Sequence, residues 1–121
     1  MKTCLIVDDS RVIRLVARKI LEEYGFTVSE AENGAQGLEM CRRHLPDGVL
    51  VDWQMPIMDG IEFLTALRQL PGGRDTAVIL CTTENTVDHI KQAIAAGADE
   101  YIMKPFDSEI IHSKLTQVGL L

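Results

Sequence analysis

The amino-acid sequence predicts an α/β fold in which parallel strands alternate with helices. Short runs of aliphatic and β-branched residues are each followed by a longer segment with helical periodicity. Such runs are typical of strands buried in a parallel sheet, and strict alternation places helices on both faces of that sheet. Four runs end directly at polar or charged residues, namely Asp8, Asp52, Thr82 and Lys104. Because the carboxyl ends of parallel strands share one crevice, we expect these side chains to meet there.

The first two strand–helix units are bounded by residues with clear local preferences. Strand one covers about residues 3–7, and Ser10 is a favourable N-cap for the helix that follows. Gly25 can adopt the left-handed conformation that ends this helix. Strand two covers about residues 27–31, and a turn at Asn33 leads into helix two. The apolar positions of the two helices are Val12, Ile13, Val16, Ala17, Ile20 and Leu21, then Ala35, Leu38, Met40 and Cys41.

The third unit begins after a break at Pro46. Strand three covers about residues 48–51, and Pro56 lies in the loop before helix three. Helix three ends at the proline and two glycines that begin at Pro71. Its apolar positions are Ile61, Phe63, Leu64 and Leu67.

The last two units complete five strand–helix repeats without an interruption. Strand four covers about residues 77–81, and helix four covers about 87–96 with Gly97 as its cap. Strand five covers about residues 100–103. Helix five runs from position 107 or 108 to about 118, where a glycine follows.

The composition is that of one globular domain with an acidic surface. The 121 residues suit one hydrophobic core, so we expect a single domain over residues 1–121. The net charge is −6, and no basic stripe suggests a nucleic-acid partner. Basic residues on helix one are interpreted as a solvated face, with an anionic ligand as the alternative. They are Arg11, Arg14, Arg18 and Lys19.

The cysteines and the first residues of the chain indicate the cellular compartment of the protein. The three cysteines include no C-x-x-C pair, which is typical of a reducing compartment. Strand one begins at about Thr3, which leaves no room for a targeting segment before it. No apolar run approaches the roughly 18 residues of a membrane span. We therefore expect a cytoplasmic protein that does not insert into a membrane.

The carboxylates at the strand ends predict a divalent cation. Asp8 and Asp9 are adjacent and should face Asp52, so their mutual repulsion needs a positive charge. Mg²⁺ prefers carboxylate oxygens, water and phosphate oxygens, and no histidine or cysteine in the pattern suggests zinc. The alternative is that the two adjacent aspartates only cap helix one.

The same crevice has the groups that phosphoryl transfer requires. A carboxylate such as Asp52 can act as a nucleophile and form an acyl phosphate. Such a transfer depends on positioned positive charge and hydrogen-bond donors, which Lys104 and Thr82 would supply. The alternative for Lys104 is an ordinary surface salt bridge. Pro105 follows Lys104, and the isomer of their peptide bond stays open.

These residues resemble the receiver domain of two-component response regulators. The matching motifs are Asp8-Asp9, Asp52 followed by the stretch 55–60 (MPIMDG), Thr82, and the stretch 104–106 (KPF). They occur in order across essentially the whole chain. The closest likeness is to stand-alone, CheY-like chemotaxis regulators, and the stretches 81–85 and 100–107 are most similar to alphaproteobacterial members. The resemblance implies a flavodoxin-like, doubly wound (βα)5 fold with sheet order 2-1-3-4-5.

The resemblance also implies a set of metal ligands. Asp9 and Asp52 would bind Mg²⁺ directly, together with the backbone carbonyl of Gln54. Asp8 would act through a water molecule or from outside the ligand set.

For the phosphoryl group, the resemblance implies that Asp52 is the acceptor and that Thr82 and Lys104 bond its oxygens. Tyr101 matches an aromatic position that changes rotamer as Thr82 moves; the alternative is plain edge-strand packing. The donor would be a phosphohistidine on a histidine kinase. The response would be a changed surface on helix four, strand five and helix five.

Several functions are compatible with this resemblance. We expect a signalling protein rather than an enzyme, as a monomer or weak dimer, whose output partner is a protein such as the flagellar motor switch. Alternatives are a phosphate sink, or a relay in a stress or cell-cycle pathway. A nucleotide second-messenger effector would use Arg11, Arg14 and Arg18. A small Mg²⁺-dependent phosphatase is disfavoured, because no cap insertion is present to hold a substrate.

Overall fold

The computed structural model describes residues 2–84 and 86–121, so Met1 and Asn85 lie outside the described residues. Asn85 belongs to one of the two stretches for which alphaproteobacterial similarity is expected. The strands in the described ranges are β1 Thr3–Val7, β2 Thr27–Ala31, β3 Gly48–Asp52, β4 Ala77–Thr82 and β5 Glu100–Met103. The helices there are α1 Arg11–Glu23, α2 Gly34–Arg43, α3 Gly60–Gln69, α4 Val87–Ala96 and α5 Ser108–Gln117.

The described strands form one parallel sheet in the order β2-β1-β3-β4-β5. Every neighbouring pair in it is parallel. This confirms the flavodoxin-like α/β fold and its sheet order. Val7 pairs with both Ala31 and Val51, and Thr82 pairs with Met103. The strands therefore end at a similar level, and the segments that follow them share one edge of the sheet.

Two strands extend one residue further than the sequence predicts. Asp52 pairs with Cys81 and is the last residue of β3, while Thr82 pairs with Met103 and is the last residue of β4. The backbone ladder therefore holds both polar residues. Asp52 is paired on its β4 side and Thr82 on its β5 side, so the ladder fixes the backbone of each residue from one side.

Apolar residues fill both faces of the sheet, as the alternation of strands and helices predicts. One layer packs strand residues such as Ile6, Leu50 and Ile79 against Leu21 of α1 and Leu115 of α5. The opposite layer packs Leu5, Val51 and Leu80 of the strands against α2, α3 and α4. Phe63 of α3 is fully buried there. Burial of each such side chain stabilises the folded state by about 1.5–3 kcal/mol relative to an exposed position.

The inner face of α1 differs from the predicted one. Val12 and Val16 are exposed, at 68% and 44% of their accessible surface, although both were expected on the apolar face. The buried positions are Arg14, Ala17 and Leu21, which follow the i, i+3, i+7 spacing of one helix face. The helix is therefore rotated so that an arginine, rather than a valine, faces the sheet at its first turn.

Side-chain caps define where the helices begin. Each described helix has a side chain that accepts a hydrogen bond from a backbone N–H in its first turn, which stabilises a helix by about 1 kcal/mol. These residues are Ser10, Asn33, Asp59, Thr86 and Asp107. Glycines with positive φ follow α1, α4 and α5, as predicted.

No helix in the described ranges has both the length and the apolar character needed to cross a bilayer. Cys4, Cys41 and Cys81 are buried and form no disulfide. Burial raises the pKa of the Cys41 thiol to about 11, so it stays protonated at neutral pH.

Candidate functional site

The residues predicted at the strand ends meet in one cavity at the carboxyl edge of the sheet. Asp52 and Thr82 end β3 and β4, and Lys104 follows β5. The cavity has a volume of about 130 Å³. Its lining residues are Asp52, Trp53, Gln54, Thr82, Thr83 and Lys104.

Three carboxylates lie close together beside this cavity. One oxygen from each of Asp8, Asp9 and Asp52 lies within 4.8 Å of the others. Asp8 is buried and Asp9 is exposed. These oxygens are hard ligands, and they could hold one small divalent cation. Ser10 is the N-cap of α1, as the capping alternative expects, but Asp8 also pairs with Lys104 and lies beside Asp52, so capping alone does not describe this pair of aspartates.

The two adjacent aspartates differ in how the protein holds them. Asp8 Oδ1 accepts a hydrogen bond from the Ser10 N–H at 2.8 Å, and Asp8 Oδ2 accepts one from Lys104 Nζ at 2.9 Å. Both carboxylate oxygens of Asp8 are therefore engaged by the protein. The Asp9 carboxylate has no such partner within residues 2–84 and 86–121, and it faces solvent.

Lys104 connects two of the three carboxylates. Its ammonium lies 2.9 Å from Asp8 Oδ2 and 3.1 Å from Asp52 Oδ1, and its side chain is largely buried. Burial lowers the pKa of Lys104, but the hydrogen bonds and charges of Asp8 and Asp52 outweigh that effect and raise it overall. The ammonium therefore stays charged. Its partners are site carboxylates, which excludes an ordinary surface salt bridge. The peptide bond between Lys104 and Pro105 is cis.

Asp52 carries an electrostatic cost that Lys104 only partly offsets. Burial and then the negative charge of Asp8 raise the pKa of the Asp52 carboxyl, and Asp9 adds to this. Hydrogen bonding to Lys104 and its charge act in the opposite direction. The balance is a raised pKa, which indicates that Lys104 does not fully offset the burial of Asp52 and the negative charge of its neighbours.

Thr82 presents a buried hydroxyl at the cavity. It is 5% exposed, and its Oγ1 accepts a hydrogen bond from the Glu84 N–H at 2.9 Å. The hydroxyl proton can still be donated to an acceptor in the cavity. The backbone N–H of Lys104 donates to the Thr82 carbonyl at 2.8 Å, which ties the β4 and β5 ends together.

A glycine and a tight turn hold the loop after β3 against the site. The Gly60 N–H donates to the Trp53 carbonyl at 2.8 Å, and a Cβ at Gly60 would collide with the Asp52 backbone oxygen. Ile57 has a positive φ of 72°. The Met58 N–H that follows it donates a hydrogen bond to the Pro56 carbonyl that precedes it, at 2.8 Å. This is a γ-turn of the rarer, strained form. The loop that carries Gln54 is therefore closed tightly around Asp52.

Tyr101 lies on β5 beside the site but does not line the cavity. It pairs with Leu80 of β4, two residues before the level of Thr82 and Met103. Its half-buried ring lies 5.1 Å from Lys114 Nζ, which also pairs with Glu100 at 3.2 Å. Cation–π contact with α5 is thus its principal described side-chain interaction.

Two features of the site were not predicted from the sequence. The Trp53 ring contacts the His89 ring of α4, with centroids 5.0 Å apart. The Arg14 guanidinium is buried and donates to the Asp8 carbonyl at 2.7 Å, so Arg14 is not part of a solvated face. Its spacing from Ala17 and Leu21 is the signal that could have revealed this.

Comparisons with known proteins agree with this geometry. A model of the family described as the response regulator receiver domain matches residues 4–116. The chemotaxis protein CheY of Halobacterium salinarum is 39% identical over 117 residues, which is 97% of this chain and 96% of that protein. The structure of chemotaxis response regulator CheY4 of Vibrio cholerae matches with a TM-score of 0.93 and 31% identity, over 98% of both chains.

A third comparison concerns a receiver domain described with an ion. The receiver domain of a sensor histidine kinase of Pseudomonas aeruginosa, with a magnesium ion coordinated in its active site cleft, matches with a TM-score of 0.87 and 25% identity, over 98% of both chains. Receiver domains are signalling proteins rather than enzymes, and a signalling protein is also what the sequence analysis expects. On the family match and these relatives, the chain belongs to the response regulator receiver domain family, and it is a CheY-like phosphorelay response regulator.

Proposed function

We propose that the chain is a single receiver domain, over residues 1–121, that accepts a phosphoryl group on Asp52 from a phosphohistidine of a histidine kinase. The observation that carries this proposal is the position of Asp52. It lines the cavity, lies 3.1 Å from the Lys104 ammonium and has a carboxylate oxygen within 4.8 Å of those of Asp8 and Asp9. A nucleophilic carboxylate, a fixed positive charge and a cluster of hard ligands are the parts that phosphoryl transfer needs.

Mg²⁺ fits the donor set of this site. Only carboxylate oxygens cluster here among the described residues, and Mg²⁺ is commonly held by one or two carboxylates with water and phosphate oxygens. Asp9 and Asp52 would hold the ion, with the Gln54 backbone carbonyl as a third ligand. Asp8 would act through water, since both of its oxygens already accept hydrogen bonds. When bound, the ion supplies positive charge against the phosphoryl oxygens.

The residues of the chain would then have distinct tasks in the transfer. A carboxylate oxygen of Asp52 forms the new P–O bond while the P–N bond of phosphohistidine breaks and the imidazole leaves with its electron pair. Lys104 and the Thr82 hydroxyl bind the phosphoryl oxygens. Lys104 is released from part of its pairing with Asp52, because the phosphoryl oxygens offer it a stronger negative charge.

The response would pass from Thr82 to Tyr101 and then to the surface of α4, β5 and α5. Thr82 and Tyr101 lie on neighbouring strands, and the Tyr101 ring already contacts α5 through Lys114. Movement of Thr82 toward a phosphoryl group would change the space available to Tyr101. The output partner would bind this surface, and the chemotaxis relatives favour the flagellar motor switch.

The alternative functions can be ranked on the structure and the relatives. A nucleotide second-messenger effector is disfavoured, because Arg14 and Arg18 are already paired with Glu30. A phosphate sink, or a relay in stress or the cell cycle, differs only in partners. We expect a cytoplasmic monomer or weak dimer, and the likeness to alphaproteobacterial members stays a prediction.

The phosphoryl transfer is tested by intact-protein mass spectrometry. The protein is incubated with Mg²⁺ and a small phosphodonor such as acetyl phosphate. We expect a gain of one phosphoryl group that is absent in Asp52→Asn and retained in the exposed control Asp75→Asn. Lack of a gain in the unsubstituted protein, with a donor that phosphorylates another receiver, would contradict the proposal.

The switch is tested by hydrogen exchange of the α4 and α5 backbone amides. We expect phosphorylation to change their exchange rates in the unsubstituted protein and to change them less in Tyr101→Ala. An equal change in both proteins would exclude Tyr101 as the transmitting residue.

A further inference from the structure

We propose that Arg14 is a positioning residue for the metal site, because its guanidinium fixes the backbone turn from which Asp8 and Asp9 project. This inference rests on the proposed function in taking Mg²⁺ as the bound ion. It gives Arg14, which is buried outside the cavity, a role in the preference of the site for that ion.

The contacts of Arg14 connect the turn to the edge of the sheet. Its Nη1 donates to the Asp8 carbonyl at 2.7 Å, and its Nε donates to Glu30 Oε1 on β2 at 3.0 Å. The Arg14 side chain is only 10% exposed. Hydrogen bonds from a charged donor in such a setting are short and roughly twice as strong as neutral ones.

Glu30 is itself fixed, so it can hold the guanidinium in one orientation. Its Oε2 accepts a hydrogen bond from Arg18 Nε at 2.6 Å. This bond, together with that from Arg14, lowers the pKa of the Glu30 carboxyl, although burial acts against it. Glu30 is therefore ionised at neutral pH. One carboxylate and two arginines bind α1 to β2 directly beside the turn.

The direction of Asp9 depends on this turn. Within the described ranges the Asp9 carboxylate has no hydrogen bond or ion pair of its own, so only the backbone orients it. The turn is held by the Asp8 N–H to the Ala31 carbonyl at 3.1 Å, by the Ser10 N–H to Asp8 Oδ1, and by Arg14 on the Asp8 carbonyl. Loss of the third contact would let the peptide between Asp8 and Asp9 rotate.

Such a loss should affect Mg²⁺ more than Ca²⁺. Mg²⁺ requires a nearly ideal octahedron with ligands at about 2.0–2.1 Å, whereas Ca²⁺ accepts variable geometry at about 2.3–2.6 Å. Lysine would not substitute for Arg14, since one ammonium cannot bridge the Asp8 carbonyl and Glu30 with the same planar fork.

The test measures Mg²⁺ and Ca²⁺ binding by Trp53 fluorescence and by titration calorimetry. The variants are Arg14→Lys and Arg14→Gln, and the matched control is Arg42→Gln, which removes an exposed arginine of α2. We expect both Arg14 variants to bind Mg²⁺ about tenfold more weakly, the lower end of the loss seen when a residue supporting a metal ligand is removed. Ca²⁺ binding should change by less than about threefold. The control should bind both ions as the unsubstituted protein does.

The outcomes separate this inference from the proposed function. Unchanged Mg²⁺ binding in the Arg14 variants, or equal weakening for both ions, would overturn the positioning role. If neither variant folds in a urea titration, Glu30→Gln decides: it should weaken Mg²⁺ binding more than Ca²⁺ binding, and equal effects overturn the inference. Absence of Mg²⁺ binding or phosphorylation in the unsubstituted protein would instead contradict the proposed function.

Discussion

The two edges of the sheet have the same kinds of charged groups, but they differ in how completely the protein pairs them. At the carboxyl edge, Lys104 is the one ammonium that pairs with the clustered carboxylates in the described part of the chain. It does not offset the burial of Asp52 and the charges of Asp8 and Asp9, which together raise the Asp52 pKa. At the amino edge, Arg68 donates to the carbonyls of Gly73, Thr76 and Gly97 at 2.6–3.0 Å and to Asp99 at 2.9 Å.

This contrast separates structural charge from functional charge. Asp99 Oδ2 also accepts the Val78 N–H at 2.8 Å, so the cation and the carboxylate at the amino edge are both satisfied by the protein. The carboxyl edge keeps more negative charge than it can neutralise. Such a site stores electrostatic repulsion that a cation or a changed charge can relieve, which suits a switch.

The largest expected effect is on stability at the amino edge. Arg68→Ala leaves several carbonyls without their donor and Asp99 without its cation, so we expect it to lower the free energy of unfolding by about 3 kcal/mol. Urea unfolding measures this change. Mg²⁺ binding by the folded fraction should be unchanged, and a large loss of Mg²⁺ affinity would contradict the separation of the two edges.

At the carboxyl edge we expect removal of a charge to raise the free energy of unfolding rather than lower it. Asp52→Asn removes one buried negative charge but keeps an acceptor for Lys104, so without Mg²⁺ we expect the free energy of unfolding to rise by about 1 kcal/mol. The same urea titration measures it. Adding Mg²⁺ should stabilise the unsubstituted protein more than the variant, since the variant lacks one ligand. A destabilised variant in the absence of Mg²⁺ would show that Asp52 is satisfied as Asp99 is.

The pH dependence of this difference follows from the raised pKa of Asp52. A raised pKa in the folded state means that the folded protein binds the proton more readily than the unfolded chain, so protonation of Asp52 stabilises the fold. As the pH falls from 7 through the Asp52 pKa, the stability advantage of Asp52→Asn should shrink. The shrinkage should begin above the ordinary aspartate pKa of about 3.9. Urea unfolding of both proteins at a series of pH values measures this, and a constant difference would contradict a raised pKa.

The smallest effect concerns backbone strain near the site. The amino edge has glycines, Gly72 and Gly97, where φ is positive, whereas the loop after β3 has Ile57 at φ 72°. Ile57 is also 80% exposed, so its side chain gains little from packing. We expect Ile57→Gly to raise the free energy of unfolding by about 0.5 kcal/mol, because relief of the strain on a β-branched residue exceeds the entropy that glycine adds to the unfolded chain. Ile57→Leu should give less than half of this gain, and equal gains would show that side-chain exposure rather than strain is responsible.

Local sequence signals were sufficient for the elements and for most of the site. Strand runs, N-caps such as Ser10, and glycines such as Gly97 act over a few residues, so they can be recognised without a structure. The parallel sheet then requires the residues that follow its strands to lie at one edge. This is why Asp8, Asp52 and Lys104 could be expected together before any distance was known.

Other features depend on packing between distant segments. The burial of Arg14 requires Glu30 on a neighbouring strand, and the contact of Trp53 with His89 requires α4 to lie beside the loop after β3. Val12 and Val16 were assigned to the wrong face, because helical periodicity alone does not determine which side of an amphipathic segment faces the sheet.

The order of residues along the chain was therefore enough to predict the fold class and the meeting of Asp52, Thr82 and Lys104 at one edge of the sheet, because both depend on short-range preference and on the geometry of a parallel sheet. Tertiary structure decided how the charges are shared. It pairs both oxygens of Asp8 and, among the residues that the structure describes, leaves the Asp9 carboxylate without a partner. It also places a buried guanidinium behind the turn. Electrostatic interactions depend on distance and burial in three dimensions, and neither is contained in the spacing of residues along a sequence.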